Sequence, residues 1–451
     1  MSTVTTAPPA PTAPRPYHFP SFERRTLGNG LTIWLVPLPG RELVNVHLVL
    51  DAGAAAEQEQ LAGVAALTAQ LLVTGTRSLD AAAFADATER LGIEMSSESA
   101  WDSARAAFQA LPRFLDDGLA LMSEMVREPR FDPGEFERLK TERLTDILQA
   151  RSDPGRLADE RFLQHLYDAA TPYHRLSAGT PESVTALTLE DVLAHHKTHF
   201  LPGRTHLIVA GAFDPEAVVR AAEARLGDWQ GTGPGHREIV PRAAGGRRIV
   251  LVDRPGSVQS ELRVGLIGIT RLDPRFYKVN VMSALLGGVF WSRLNVRLRE
   301  ELGYTYGAHT YLDLRRSPGP FSARTAVQTE VTAPALTELL SQLDQIRAED
   351  VPAKEAREVK DYLIGVFPLR FETTGGVATA IEPLVNYGLP DDYWQTYRDR
   401  LEGVTEADIR SAATELIDPE QLLCLVVGDA AKVRAELEAT GVGPMEVVAP
   451  D

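Results

Sequence analysis

Three landmarks of this chain occur twice in the same order and at one spacing. Thr188-Leu-Glu-Asp191, Pro202 and Leu207-Ile-Val-Ala-Gly211 are followed 217 positions later by Thr405-Glu-Ala-Asp408, Pro419 and Cys424-Leu-Val-Val-Gly428. A constant offset over some twenty residues implies two homologous halves. Each half then ends in a helix, a Pro break, an apolar strand closed by Gly, and another helix. The starts of the halves agree more loosely. Leu31 to Pro37 and Arg248 to Asp253 read as short strands, and Val44 to Leu50 and Glu261 to Leu266 as strands that precede long helical stretches.

Residues 17–230 and 248–451 are assigned to the two halves. Between them, 231–247 is a Gly/Pro-rich linker, with Gly231-Thr-Gly-Pro-Gly-His236 and Ala243-Ala-Gly-Gly246. Residues 1–16, rich in Pro, Ala and Thr, read as a disordered tail. Ala82 to Leu91 and Arg113 to Val126 repeat apolar residues every three or four positions, which predicts helices. Strands that come in pairs at the start of each half and singly after helices suit an α+β fold, with a sheet covered by helices on one side, better than strict βαβ winding.

Composition excludes several classes. With 62 acidic against 46 basic residues the formal charge is -16, which argues against nucleic acid as a partner. Cys424 is the only cysteine, so neither an intrachain disulfide nor a Cys-based zinc site can form. No run of about 18 apolar residues predicts a membrane span. The start, Met1-Ser-Thr-Val-Thr-Thr-Ala-Pro-Pro9, has neither a basic segment nor an apolar core, so it does not read as a signal peptide and a cytoplasmic location is expected.

The stretch Leu61 to Thr76, LAGVAALTAQLLVTGT, resembles the motif helix of the pitrilysin/insulinase zinc peptidases, in which a Gly precedes His-x-x-Glu-His and an apolar stretch ends in Gly-Thr. In that inverted motif the two His lie four apart and share one zinc, and the Glu activates the bound water. Laid on Gly63 and Gly75-Thr76, the frame puts Ala66 and Gln70 at the His positions and Ala69 at the Glu position. Neither alanine has a lone pair for a metal or can take a proton. The third ligand of the family falls at Asp146, in Leu144-Thr-Asp-Ile-Leu-Gln-Ala-Arg-Ser-Asp-Pro154, which would stand alone.

A second segment, Leu285-Leu-Gly-Gly-Val-Phe-Trp-Ser-Arg-Leu294 with Arg297-Leu-Arg-Glu-Glu-Leu-Gly-Tyr-Thr-Tyr-Gly307, looks like the family's other signature. The resemblance implies that Arg299 and Tyr306 hold substrate from the side opposite the zinc. Locally, a helix that closes at Leu302 with Gly303 behind it would turn the chain into a strand from Tyr304 to Tyr311. Arg299 can offer two parallel hydrogen bonds to a carbonyl or carboxylate, and Tyr306 one. Arg297 and Tyr304 are expected to face elsewhere. His195 and His199, one helical turn apart, have a metal-capable spacing but no carboxylate where a base would be needed, and are read as structural.

Over about residues 20 to 440 the resemblance implies two halves, each of two related α+β units with a mostly antiparallel sheet covered by helices. It also implies a non-catalytic, substrate-binding subunit of a heterodimeric zinc metallopeptidase, inactive alone. Zinc belongs in a homologous partner that carries His-x-x-Glu-His, no cofactor is expected in this chain, and the substrate is a peptide. The alternative is a scaffold of the same fold, like respiratory-complex core subunits.

Overall fold

Twelve strands form two six-stranded sheets in this computed structural model, which describes residues 15–450. In the first half these are β1 Glu23–Thr26, β2 Thr32–Pro37, β3 Val44–Leu50, β4 Glu94–Ser99, β5 Ala104–Ala110 and β6 Thr205–Gly211. In the second they are β7 Arg248–Asp253, β8 Gln259–Ile267, β9 Ala308–Leu312, β10 Pro320–Gln328, β11 Leu423–Gly428 and β12 Met445–Val448. The sheet orders are β1-β2-β6-β3-β5-β4 and β12-β7-β11-β8-β10-β9. Apart from β1 and β12, which close corresponding edges from opposite chain ends, the two orders are the same. Most neighbours are antiparallel; β2 with β6, β7 with β11 and β7 with β12 are parallel. Each half builds one sheet, so the duplication lies between the halves.

The repeat extends to individual hydrogen bonds. Thr188 and Thr405 each start a helix with a capping box, their hydroxyls accepting from the N–H of Asp191 and Asp408 while those carboxylates accept from the threonine N–H groups. Pro202 and Pro419 each open a 3-10 turn before β6 and β11. The tail assigned to residues 1–16 lies outside the described residues but for Arg15 and Pro16; the Arg15 carbonyl accepts from Arg398 Nη1 at 2.9 Å.

The central strands are covered on both faces, not one, because the halves exchange helices. Ile33 and Leu35 of β2 and Leu207 and Val209 of β6 join the core of their own half. Their neighbours Trp34, Val36, Ile208 and Ala210 face the core of the second half. The period of two thus serves two cores at once, which requires continuous apolar runs. Helix Thr374–Tyr387 of the second half packs on β3 and β6, and helix Pro154–Leu166 of the first half packs on β8 and β11. There Leu157 and Phe162 meet Val250, Val252, Leu425 and Val427. Burying Phe162 in this way contributes roughly 2–3 kcal/mol. The linker is tied to this seam: Ala244 N–H donates to Leu166 O at 3.0 Å, and buried Ile239 N–H to Ser317 Oγ at 3.2 Å. Among the described residues no helix is long and apolar enough to cross a membrane.

Candidate functional site

The motif frame folds as a helix over Val64–Leu72. Its glycines are needed by the backbone alone: Gly63 has φ +94 and Gly75 φ +134, and a Cβ on either would come within 2.8 Å of a backbone oxygen. Gly63 offers no side chain to cap the helix, and Glu57 does so instead, accepting from Gly63 N–H at 3.1 Å and Ala65 N–H at 2.8 Å. Arg175 Nη2 donates to Glu57 Oε2, the oxygen that Gly63 N–H also bonds, at 2.9 Å, with side-chain exposures of 1% for Arg175 and 0% for Glu57. Burial pushes the Glu57 carboxyl up to about 7, against the opposing pull of Arg175 and the two backbone N–H groups.

On this intact frame the chemistry-bearing positions carry no ligand set. Ala66 and Gln70 sit half-buried one turn apart, and Ala69 is buried. Helix Pro133–Ser152 packs against the motif helix, as a third ligand would require, but Asp146 on it is exposed. Among the described residues, no group of three or more His, Cys, Asp or Glu side chains could hold a metal ion. The rings of His195 and His199 lie with centroids 4.6 Å apart, tilted 31° to each other. Burial, with the charge of His199 next, holds His195 down to about 3, against a bond to the Ala52 backbone. Burial thus keeps this imidazole neutral inside the protein.

The second signature departs from a plain helix–strand turn. Both π-helical segments among the described residues lie in it, Ala284–Gly288 and Val296–Glu301. Leu302 N–H reaches back five residues to Arg297 O, Gly303 takes φ +65, and Tyr304 N–H closes on Leu298 O at 2.8 Å. The glycine stop is as expected, but the strand begins at Ala308, not at Tyr304. A turn intervenes: Thr305 Oγ1 accepts from Gly307 N–H at 3.0 Å, and Thr325 Oγ1 donates to Gly307 O at 3.0 Å.

Tyr306 rides the tip of this pinned turn. It is 96% exposed, and its hydroxyl has no hydrogen-bond partner among the described residues. Arg299 lies with its Cζ 3.7 Å from the centre of the Phe290 ring, its Nε and Nη2 donating to Glu300 Oε1. No bond joins Arg299 to Tyr306, but buried Asn295 ties their surroundings together, donating to Val289 O at 3.3 Å and accepting from Ala308 N–H at 2.9 Å. Arg297 turns instead to Glu338 and Glu301. Phe290 and Trp291 were not singled out in the sequence; both rings are exposed, Phe290 against Arg299 and Trp291 edge-on to Tyr362. The adjacent aromatic pair after Gly287-Gly288 was the available signal.

Two sheets of one order, exchanged helices and a motif helix without its ligands define a duplicated α+β protein of zinc-peptidase architecture. The family model described as insulinase (peptidase family M16) matches residues 34–180, and that described as peptidase M16 inactive domain matches residues 186–363. The chain belongs to the insulinase (M16) family. It is 24% identical over 382 residues to the non-peptidase homolog YmxG of Helicobacter pylori, spanning 83% of this chain and 87% of that protein. An uncharacterized zinc protease of Streptomyces coelicolor is 24% identical over 423 residues, spanning 90% and 89%. In fold the chain resembles a peptidase M16 inactive domain from Pseudomonas fluorescens, with TM-score 0.84, 23% identity, and 90% of this chain and 98% of that one covered. It also resembles a chain of Complex III2 from Candida albicans, with TM-score 0.77, 14% identity, and 93% and 99% covered.

Proposed function

We propose that this chain is the non-catalytic, substrate-binding subunit of a heterodimeric zinc metallopeptidase acting on peptides in the cytoplasm. The observation that carries this is the pairing of an intact motif frame with Ala66, Ala69 and Gln70 at its functional positions. A carboxylate base and three protein ligands are the usual needs of a catalytic zinc, and this helix offers neither. Zinc and base are assigned to a homologous partner with His-x-x-Glu-His. Arg299 and Tyr306 bind the peptide from the opposite side, Tyr306 through its free hydroxyl and Arg299 through the guanidinium edge that Glu300 leaves open.

Support comes from the solvent-facing pose of Tyr306. A turn pinned at Thr305 and Gly307 holds a large aromatic in water, where it adds nothing to the core. The scaffold reading draws on the fold likeness to the Complex III2 chain. A scaffold has no need of an unpartnered Tyr306 hydroxyl held out in solvent, so the peptidase-subunit reading is preferred. The test is co-purification from the native host, followed by mass measurement. A second chain bearing His-x-x-Glu-His is the expected companion; recovery within a respiratory assembly would support the scaffold instead.

A further inference from the structure

At the seam between the halves, polar groups without partners converge on one pocket of about 400 Å³. It lies where β3 ends at Asp51, where β6 begins at Arg204 and His206, and where Arg316 reaches across from the β9–β10 turn. Arg316 is already committed: Nη1 donates to Asp51 Oδ1 at 2.6 Å and Nε to Asn386 O at 2.7 Å. That contact matches the one carboxylate of the pocket with one guanidinium. Arg204 is then in excess, with only a 3.8 Å approach to Asp51 Oδ2 and no hydrogen bond among the described residues.

The other lining groups add donors. The Trp34 indole donates to His206 Nδ1 at 3.1 Å, and since an indole N–H can only donate, the neutral imidazole carries its proton on Nε2. Burial, then the charges of Arg316 and Arg24, hold His206 down to about 4, so the ring stays neutral in a positive local field. The hydroxyl of Thr232 and the side-chain amide of Asn386 also have no hydrogen-bond partner among the described residues. In a chain of formal charge -16, a pocket with two guanidiniums against one carboxylate is a local reversal of sign.

We infer that this pocket binds a small oxyanion, a phosphate or carboxylate group, through Arg204, the Nε2–H of His206, Thr232 and Asn386, with Arg316 as the fixed positive wall. The planar fork of Arg204 matches such a group with two parallel hydrogen bonds. Because the lining comes from both halves and the linker, the bound anion ties them together, and by mass action it stabilises the folded chain. The inference is independent of the peptidase-subunit reading.

The experiment is thermal melting and calorimetric titration of the full chain with sodium phosphate and with sodium succinate, each against sodium chloride of equal ionic strength. At least one oxyanion should raise the melting midpoint above chloride, and the arm that does so names the class. Arg204→Gln, at a half-exposed side chain with no structural hydrogen bond, should melt as the parent does in chloride yet bind the oxyanion about tenfold or more weakly. Thr232→Val, on the exposed linker, should weaken binding by a smaller factor. If neither oxyanion acts beyond chloride, or if Arg204→Gln binds as tightly as the parent, the site is not there.

Discussion

His47 Nδ1 lies 2.6 Å from Glu382 Oε1, joining β3 of the first half to a helix of the second across 335 positions of sequence. Arg105 on β5 donates to the same carboxylate oxygen at 3.0 Å. The mirror arrangement sits on the other sheet. Asp159, on helix Pro154–Leu166, receives Arg263 of β8 at 2.7 Å and Arg324 of β10 at 3.2 Å. Each exchanged helix therefore brings one carboxylate onto the equivalent pair of strands of the opposite half. Burial pushes the Glu382 carboxyl up, but the bond and charge of His47 and the charge of Arg105 outweigh it and leave it below its ordinary value.

Removing the Glu382 carboxylate should therefore loosen the seam. Glu382→Ala leaves Arg105 and His47 without their shared acceptor in a mostly buried site, and the expected loss is about 1.5–3 kcal/mol. Asp159→Ala should lose less, since that carboxylate is 40% exposed and water replaces part of the bond. Denaturant unfolding of both variants measures this; equal losses would contradict the difference in burial.

Exchange of helices also couples the halves. Phe162→Ala empties a fully enclosed site among strands that belong to the other half, with an expected loss of about 3–5 kcal/mol. Unfolding should remain a single transition by calorimetry, because the second sheet loses its cover when the first half opens. Two resolved transitions, with only one shifted, would mean that the halves are independent.

Stability should fall in mild acid through His195. Its folded value, about 3, lies below the unfolded 6.5, so the unfolded chain binds the proton first; the stability it lends is full above 6.5 and is lost as pH falls toward 3. The slope is about 1.4 kcal/mol per pH unit for one proton. Glu57 acts in the opposite sense, its raised carboxyl favouring the fold below 4.5 and that contribution being lost as pH rises through about 7. Comparing the parent with His195→Gln cancels Glu57. The parent should lose more stability than the variant between pH 6.5 and 4; parallel curves would refute it.

Tyr306→Phe should leave unfolding unchanged, since the hydroxyl bonds to nothing among the described residues and the ring is 96% exposed. If Tyr306 bonds a reacting carbonyl opposite the partner's zinc, its loss costs on the order of 3 kcal/mol, or about a hundredfold in peptide turnover of the reconstituted pair. Arg299→Ala should also slow turnover, with a packing contribution from its contact with Phe290. Turnover unchanged by Tyr306→Phe favours the scaffold reading.

Much of the fold was legible because it is local and repeated. Val44 to Leu50 and Arg248 to Asp253 are strands within the expected bounds, and the Thr188 and Thr405 capping boxes follow from two residues three apart. The edge strand β4, Glu94–Ser99, has no apolar face to give it away, its side chains alternating between exposed and half-buried. Helix exchange was not legible, because Trp34 and Val36 read as core whichever half covers them. At the site, Gly303 announced the turn, but the Thr305 and Thr325 bonds that delay the strand to Ala308 depend on a neighbour twenty positions away. The polar residues Asn45, His47 and Arg105 on otherwise apolar strands were not singled out in the sequence, because their partners at the seam lie hundreds of residues off.

The most direct measurement is peptide hydrolysis by the purified chain, assayed alone and after mixing with the His-x-x-Glu-His homologue from the same genome. Alone, the chain is expected to cleave nothing, and the mixture should cleave with a rate that falls on Tyr306→Phe. Chelator-sensitive hydrolysis by the chain alone, with about one zinc per chain, would contradict the role proposed for it.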